Sequence, residues 1–345
     1  MTTPLINVRN MRAIMNKTSR DRKLNILTFP THERYEENLC KTGHNFYSIR
    51  HGKPWNEEYA PIPSNYHIVD NLPSYVDIDL ILNHTTDDRL LVSQAAFMND
   101  SGNHVIGACA APIVRHCHVL PDLVSCPESL QKYRQLEGYG INKNSFISAY
   151  SAKAWGYEGA DVVEHGIDTD FWCPEDVERQ EVALSVVNDW INRDWCCGFK
   201  LWTEVVNFGK QEQLPIMVLG NTPKLSRPAK DKQELREYYR RAGVFINTSL
   251  ISPVPSVLME AMSCGCPVVS TNNCMIPEII EHGVNGFMSN DPDELREYAQ
   301  ILLKDKELAC KMGDEARKTI LERFSLERFI TNWNDLFYNT LGEFK

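Results

Sequence analysis

Between Ser252 and Phe287 the chain reads SPVPSVLMEAMSCGCPVVSTNNCMIPEIIEHGVNGF. This stretch constrains the fold more than any other. Ser252 to Pro255 is a tight Pro-containing loop. Ser256 to about Ser263 reads as a short helix with Glu260 inside it, and Gly265 stops it, as glycine does just past a helix end. Cys266 to Thr271 is a short, apolar, β-branched run, which predicts a buried strand. A second helix has Pro277 in its first turn with Glu278 beside it, and Gly283 and Gly286 close the unit. Loop, helix, strand and helix joined by small residues suit a doubly wound parallel sheet. Such sheets take ligands at the carboxyl ends of their strands, where helix N-termini face the crevice. Free N–H groups at a helix start suit a diphosphate. A carboxylate one turn further on suits the hydroxyls of a sugar or ribose. An ordinary packed α/β unit has the same spacing.

The rest of the chain sets bounds. Its 345 residues leave room for two medium domains. No apolar run reaches membrane-spanning length and the N-terminus has no secretory apolar region, so a cytoplasmic location is expected. A net charge of −10 disfavours wholesale binding to nucleic acid or anionic lipid. The exception is a basic arm, residues 1–23, in which Arg9, Arg12, Lys17, Arg20, Arg22 and Lys23 face one acid, Asp21. It reads as a solvated arm or, through residues 9–23, as a contact for an anionic surface. Eleven cysteines fit a reducing cytosol. Cys109, His116, Cys117, His118 and Cys126 cluster, but their spacing matches no common zinc pattern, so buried thiols are expected there. The Asp-x-Asp triplets Asp77/Asp79, Asp168/Asp170 and Asp291/Asp293 fall in a strand, a linker and a helix start, and none makes a metal clamp.

In chain order, Leu24 to Phe29 is a first strand. Thr31 caps a helix from His32 to about Lys41, and His44 to Ile49 is the next strand. Residues 50–70 read as a loop. Asp77 to Asn83 is a strand, Leu90 to Met98 a helix, His104 to Ala111 a strand, and Pro112 to Leu123 a polar loop holding His116 and His118. The polar run from Pro174 to about Glu181 is a domain boundary. Beyond it strands alternate with helices, starting with Val182 to Val187.

With these motifs in view, the chain resembles retaining glycosyltransferases of GT-B fold, of the group 1 or family 4 type. EAMSCGCPVVST, IPEII and HGVNGF fit the donor signature of that family, which runs Glu, seven residues, Glu. Glu260 matches the second glutamate, which holds the nucleotide ribose. At the first, which contacts the donor sugar, this chain has Ser252. The segment NDWINRDWCCGFKLW stands where the family clamps the diphosphate with Arg and Lys. Arg193 takes the arginine's place, Cys197 stands at the lysine, and Lys200 is the nearby substitute. ADVVEHGIDTDFW and SLERFITNWNDLF are similar to family segments at the linker and at the closing helix.

The resemblance implies two Rossmann-like domains facing across a cleft, residues 24–173 on the acceptor side and 182–324 holding the nucleotide sugar. Residues 325–345 form a helix crossing back to the first domain. It implies transfer of a sugar from a nucleotide sugar to a hydroxyl acceptor, with retention and without a metal or other cofactor. Ser256 and Val257 offer backbone to the diphosphate, Gly220 and Asn221 flank the base, and Ser252 and His116 face the sugar. Arg193, His116 and Glu260 form the catalytic set. His32, Arg34, His84 and His118 are acceptor-side candidates. Two other readings stand beside this one. One is a degenerate member that binds nucleotide sugar or glycan without catalysis, for which Ser252 and Cys197 argue. The other is a transferase acting on hydroxylated DNA bases, for which the basic arm argues.

Overall fold

A computed structural model describes residues 22–29, 32–49, 55–57, 59–70, 73, 76–84, 111–121, 143–252 and 254–343. The helix at 90–98, the strand at 104–110, Thr31 and residues 9–21 of the basic arm lie outside them. The chain divides into two compact units, residues 1–163 with 329–345, and residues 164–328.

Among the described residues the first unit holds seven parallel strands: β1 (Asn25–Phe29), β2 (Asn45–Ile49), β3 (Tyr66–Val69), β4 (Leu80–Asn83), β5 (Ile113–Cys117), β6 (Lys143–Phe146) and β7 (Asp161–Val162). Their order is β3-β2-β1-β4-β5-β6-β7, which reverses between β1 and β4. Helix α1 (Glu33–Cys40) follows β1, and α2 (Ala149–Ala154) follows β6. His32 caps α1, its Nδ1 accepting from the amide of Arg34.

Two segments read as loops are strands. Within 50–70, β3 pairs with β2, setting Tyr47 beside His67 and burying Tyr66 against Trp55 at 4.8 Å. Within 112–123, all five residues of β5 are buried. Arg115 and His116 hid this strand, because a charged and a polar side chain interrupt its apolar run. Each is satisfied by a neighbour remote in sequence. Arg115 Nε donates to Asn144 at 2.9 Å and its terminal nitrogen to the Tyr157 hydroxyl at 3.2 Å, while His116 lies 2.9 Å from Ser145 Oγ. A buried polar group with its bond made is tolerated where an orphan is not.

The second unit's strands are β8 (Ala183–Val186), β9 (Ile216–Leu219), β10 (Val244–Asn247), β11 (Val268–Ser270) and β12 (Phe287–Met288), ordered β12-β11-β10-β8-β9 and parallel. The order reverses between β10 and β8. Its helices are α3 (Asp194–Cys197), α4 (Phe199–Val205), α5 (Lys232–Arg241), α6 (Ser256–Ser263), α7 (Ile276–Ile279), α8 (Pro292–Lys304) and α9 (Lys306–Arg323). Helix α6 is apolar nearly all round and buries Leu258 to Ser263, as a helix inside a core does. Helix α8 opens on Asp291, whose carboxylate accepts from the amides of Asp293 and Glu294, with Pro292 at the first position. Trp190 and Trp202, 4.8 Å apart and fully buried, anchor a core with Val205, Leu295 and Leu302. Burying each such side chain contributes about 1.5–3 kcal/mol. The last helix, α10 (Leu326–Glu343), joins the first unit from Phe329 onward.

The division falls at 163/164, ahead of the polar run at 174–181. Residues 164–173 side with the second unit because its arginines hold their backbone. One Arg317 terminal nitrogen donates to the carbonyl of Trp172 at 2.8 Å and of Ser263 at 2.9 Å, and the other to Thr169 at 3.0 Å. The polar run is tied down likewise: Arg179 donates to the carbonyls of Tyr239, Ala242 and Cys264. Arg317→Met keeps the side chain's bulk and strands these carbonyls. The substitution should cost about 2 kcal/mol and lower the second unit's melting temperature by roughly 4–8 °C. An unchanged transition in scanning calorimetry would show that water replaces the guanidinium.

Candidate functional site

The second unit's crevice is built where β8 and β10 end, at the reversal of strand order, the position at which open α/β sheets take ligands. Gly198 is its hinge. This residue ends α3 and starts α4 with a positive φ of 65°. A Cβ there would lie 2.0 Å from the carbonyl oxygen of Thr248, just past β10. The contact is closed from the other side by Thr248 Oγ1, which donates to the carbonyl of Gly198 at 3.0 Å. The amides of Leu250 and Ile251 both donate to the carbonyl of Cys196. Thr271 Oγ1 ties Ser249 to the end of β11 at 2.6 Å. The loop from Thr248 to Ile251 is therefore clasped between two elements, and Ser252 leaves it half-buried.

The end of β8 is fixed by a similar device. Gly220 has φ 134°, and a Cβ on it would meet the Val187 carbonyl oxygen at 1.9 Å. Asn221 Oδ1 accepts from the amide of Asp189 at 2.7 Å, and Asn188 Oδ1 accepts from the amide of Asn221 at 3.2 Å. Thr222 Oγ1 accepts from the amide of Trp190 at 2.9 Å. These bonds hold Asp189 at φ 49°, a left-handed conformation rare outside glycine.

Two features of this crevice favour an anion. Helix α6 begins at Ser256 after Pro255, which supplies no side-chain cap. The backbone ladder starts only with the amide of Leu258, which leaves the amides of Ser256 and Val257 outside it. Arg193, exposed at the start of α3, makes no side-chain cap there. Lys200 is placed differently: its ammonium is 3.4 Å from Asp194 Oδ2, and its amide donates to Asp194 Oδ1 at 2.7 Å. Asp194 thus supplies the negative charge at the start of α4, a residue the sequence reading missed. Glu260 faces inward, 7% exposed, and accepts from the Tyr239 hydroxyl at 3.1 Å.

The candidate histidines His32, His84, His116 and His118 belong to the first unit. His116 lies inside β5, fully buried, and not in a loop. In this conformation a sealed ring cannot touch a sugar. The imidazole of His84, directly after β4, is likewise sealed, with Nε2 3.8 Å from Glu36 Oε1 and Nδ1 3.0 Å from His118 Nε2. Burial pushes His84 down to about 3. His32 is spent as the cap of α1, and Arg34 is half-buried beside it. At the amino end of the sheet, Arg22 of the basic arm is bound to Asp79 at 2.7 Å. The structure therefore gathers Arg193, Gly220, Asn221, Ser252, Ser256 and Val257 at the ends of β8, β9 and β10. His32, His84, His116 and His118 lie in the first unit.

Comparison with known proteins follows this division. Residues 226–319 match the family described as glycosyl transferases group 1. N-acetyl-alpha-D-glucosaminyl L-malate synthase of Bacillus anthracis is 37% identical over 91 residues, which are 26% of this chain and 24% of that protein. A probable sucrose-phosphate synthase of Thermosipho melanesiensis is 34% identical over 101 residues, 28% of this chain and 23% of that protein. The chain thus spans about a quarter of the length of these curated relatives. The fold likeness is broader. HepE of Anabaena, solved with UDP and glucose, has a TM-score of 0.70 at 14% identity, covering 91% of this chain and 99% of that one. Sucrose-phosphate synthase of Thermosynechococcus elongatus has a TM-score of 0.69 at 13% identity, covering 93% and 100%. The α/β fold is that of GT-B glycosyltransferases.

Two outcomes test this geometry. Gly198→Ala should cost about 1–3 kcal/mol from backbone strain and more from the clash. Gly209→Ala is the control, with φ 74° but nothing within 4 Å of the added carbon, so thermal unfolding should separate the two. The second outcome is acid sensitivity. Burial holds His84 at about 3 and His44 at about 4, so both are neutral in the folded chain over a range where the unfolded chain binds protons. Stability should therefore fall as pH drops below about 6.5 toward 4, by about 1.4 kcal/mol per pH unit for each histidine. Urea titrations at pH 7, 6 and 5 measure it, and His44→Gln should remove one histidine's share of the slope.

Proposed function

We propose that this protein is a glycosyltransferase that moves a sugar from a nucleotide-sugar donor to a hydroxyl acceptor, with retention of anomeric configuration. The observation that carries the reading is the coincidence of the group 1 match with the second unit's crevice. Residues 226–319 include β10, α6 and β11, and α6 offers two uncapped amides there. HepE was solved with UDP and glucose, which supports uridine nucleotides as the first donors to try. In this reading the Ser256 and Val257 amides hold the diphosphate. Arg193 neutralises the charge that grows on the leaving group, where a fixed cation acts most strongly. Gly220 and Asn221 flank the base, Glu260 holds the ribose, and Ser252 faces the sugar. Lys200 reaches the diphosphate only by leaving Asp194. No metal enters the scheme. A cytoplasmic setting belongs to the same proposal and rests on the cysteine-rich sequence.

The test is a thermal-shift screen of nucleotide sugars followed by transfer assays with the donor that binds. Ligand at a hundredfold over its dissociation constant should stabilise by roughly 2.7 kcal/mol. Arg193→Ala should lower kcat about a hundredfold with a smaller change in KM. Glu260→Gln should weaken nucleotide binding about tenfold, the loss of a charge-assisted bond of roughly 1.5–3 kcal/mol. If Glu260 serves only Tyr239, Gln at that position lowers the melting temperature and leaves nucleotide affinity unchanged.

A further inference from the structure

Lys23, the last residue of the basic arm, has no part in the transferase reading. It lines a cavity of about 430 Å³ at the amino end of the first unit's sheet. Sites for small molecules measure about 300–1,000 Å³. One wall is the turn from Thr42 to His44, between α1 and β2. The other is α10, on which Asn334 and Tyr338 stand one helical turn apart. The space over the turn is open at Gly43, where an added Cβ would meet nothing within 4 Å. Tyr338 is held by its hydroxyl, which donates to the carbonyl of Arg22 at 2.8 Å. His44, 3% exposed, packs on α10 with its ring centre 5.7 Å from those of Phe337 and Tyr338.

The hydrogen bonds on this wall do not close. The amide of Leu24 donates to His44 Nδ1 at 3.2 Å, so that nitrogen carries a lone pair. Burial pushes His44 down to about 4, which keeps the ring neutral at pH 7 with its proton on Nε2. The Nε2–H group is therefore a fixed donor, yet it is buried without an acceptor. Asn334 stands beside the ring and favours its charged form, but Asn334 Oδ1 is itself buried without a hydrogen bond. A donor and an acceptor thus lie unsatisfied on one cavity wall, although buried polar groups are almost always paired. The group that accepts from the one and donates to the other is a hydroxyl, which has lone pairs and a proton. A carboxylate only accepts, and would leave Asn334 Oδ1 orphaned.

We infer that this cavity is a saccharide-binding site of the first unit, which takes a neutral sugar with one hydroxyl between His44 Nε2 and Asn334 Oδ1. The other lining groups suit the rest of a sugar ring. The Lys23 ammonium donates and the Asp335 carboxylate accepts, so neighbouring hydroxyls meet both kinds of partner. Their opposite charges also favour an uncharged ligand over an ion. Thr42 Oγ1 spends its proton on the Leu39 carbonyl at 2.7 Å and is left as an acceptor. Tyr338 supplies an aromatic body for the apolar C–H face of the ring. Asn334 is half-buried, and its amide turns to admit the hydroxyl to Nε2. The site holds a sugar and does no chemistry on it. It needs neither nucleotide nor transfer, so it goes beyond the transferase reading and is tested apart from it.

In the experiment, histidine is labelled with nitrogen-15 in the full chain and long-range proton–nitrogen spectra are recorded at pH 7. Glucose, N-acetylglucosamine, maltose and cellobiose are added in turn to concentrations on the order of 10 mM, and inorganic phosphate separately. Before any addition His44 should carry its proton on Nε2, and a proton on Nδ1 overturns the inference. At least one sugar should move the His44 signal to saturation and leave His282 of the second unit in place. Asn334→Ala should weaken that sugar about tenfold, the loss of one hydrogen bond, and Lys23→Ala should weaken it less. An Asn334 that is merely structural would change the melting temperature and not the affinity. A His44 signal that none of the four sugars moves means that water alone serves the pair, and overturns the inference. A response to phosphate in place of the sugars makes the cavity an anion site and overturns it too, as does movement of His282 instead of His44. Each of these failures leaves the transferase reading intact, because none measures donor binding or transfer.

Discussion

The approach of Gly198 to the Thr248 carbonyl is the constraint on which the second unit's crevice depends. A single methyl group would stand 2.0 Å from that oxygen, so the turn between α3 and α4 sits on the end of β10 only because the residue has no side chain. From this contact follow the clasp of Leu250 and Ile251 on Cys196 and the exposed position of Arg193. Gly220 repeats the device against Val187 at the end of β8. A parallel sheet leaves its strand ends bare at the point where the winding reverses. Here the two glycines let backbone close in from both sides without filling the space with side chains.

The charges of the crevice are distributed by local pairing. Lys200 and Arg193 are close in sequence and both cationic, yet they end differently. Asp194 reaches the ammonium and amide of Lys200, while the guanidinium of Arg193 is left toward solvent. An exposed ion pair of the Lys200 kind adds little stability, so its effect is to place charge. Glu260 illustrates the opposite environment. Its carboxylate lies in the interior and is met by a tyrosine hydroxyl, and a buried carboxylate needs such a partner.

The first unit follows a different principle. Its sheet carries polar groups through its middle: Arg115 and His116 within β5, Glu36 on α1, and His84 after β4. A strand able to bury arginine and histidine is stable only as part of the finished sheet, because Asn144, Ser145 and Tyr157 arrive from β6 and from beyond α2.

The sequence by itself determined the parallel α/β character of both halves and nearly every element of the second. The periods of its apolar residues and its glycine and proline punctuation report local backbone preference directly. Helix α6 has the bounds read from the sequence, and Asp291 with Pro292 announced α8. The close approaches of Gly198 to Thr248 and of Gly220 to Val187 were not legible, because each partner is remote in sequence. Tertiary structure alone decided the fate of the polar residues. Nothing near His116 in sequence says that Ser145 will face it, nothing near Glu260 points to Tyr239, and Glu36 has no local mark of its distance from His84. The division at 163/164 was hidden for the same reason, because Arg317 holds Thr169 and Trp172 from far along the chain. Apolar burial is written in local periodicity, whereas the burial of a charge is licensed by a partner that only the assembled fold supplies.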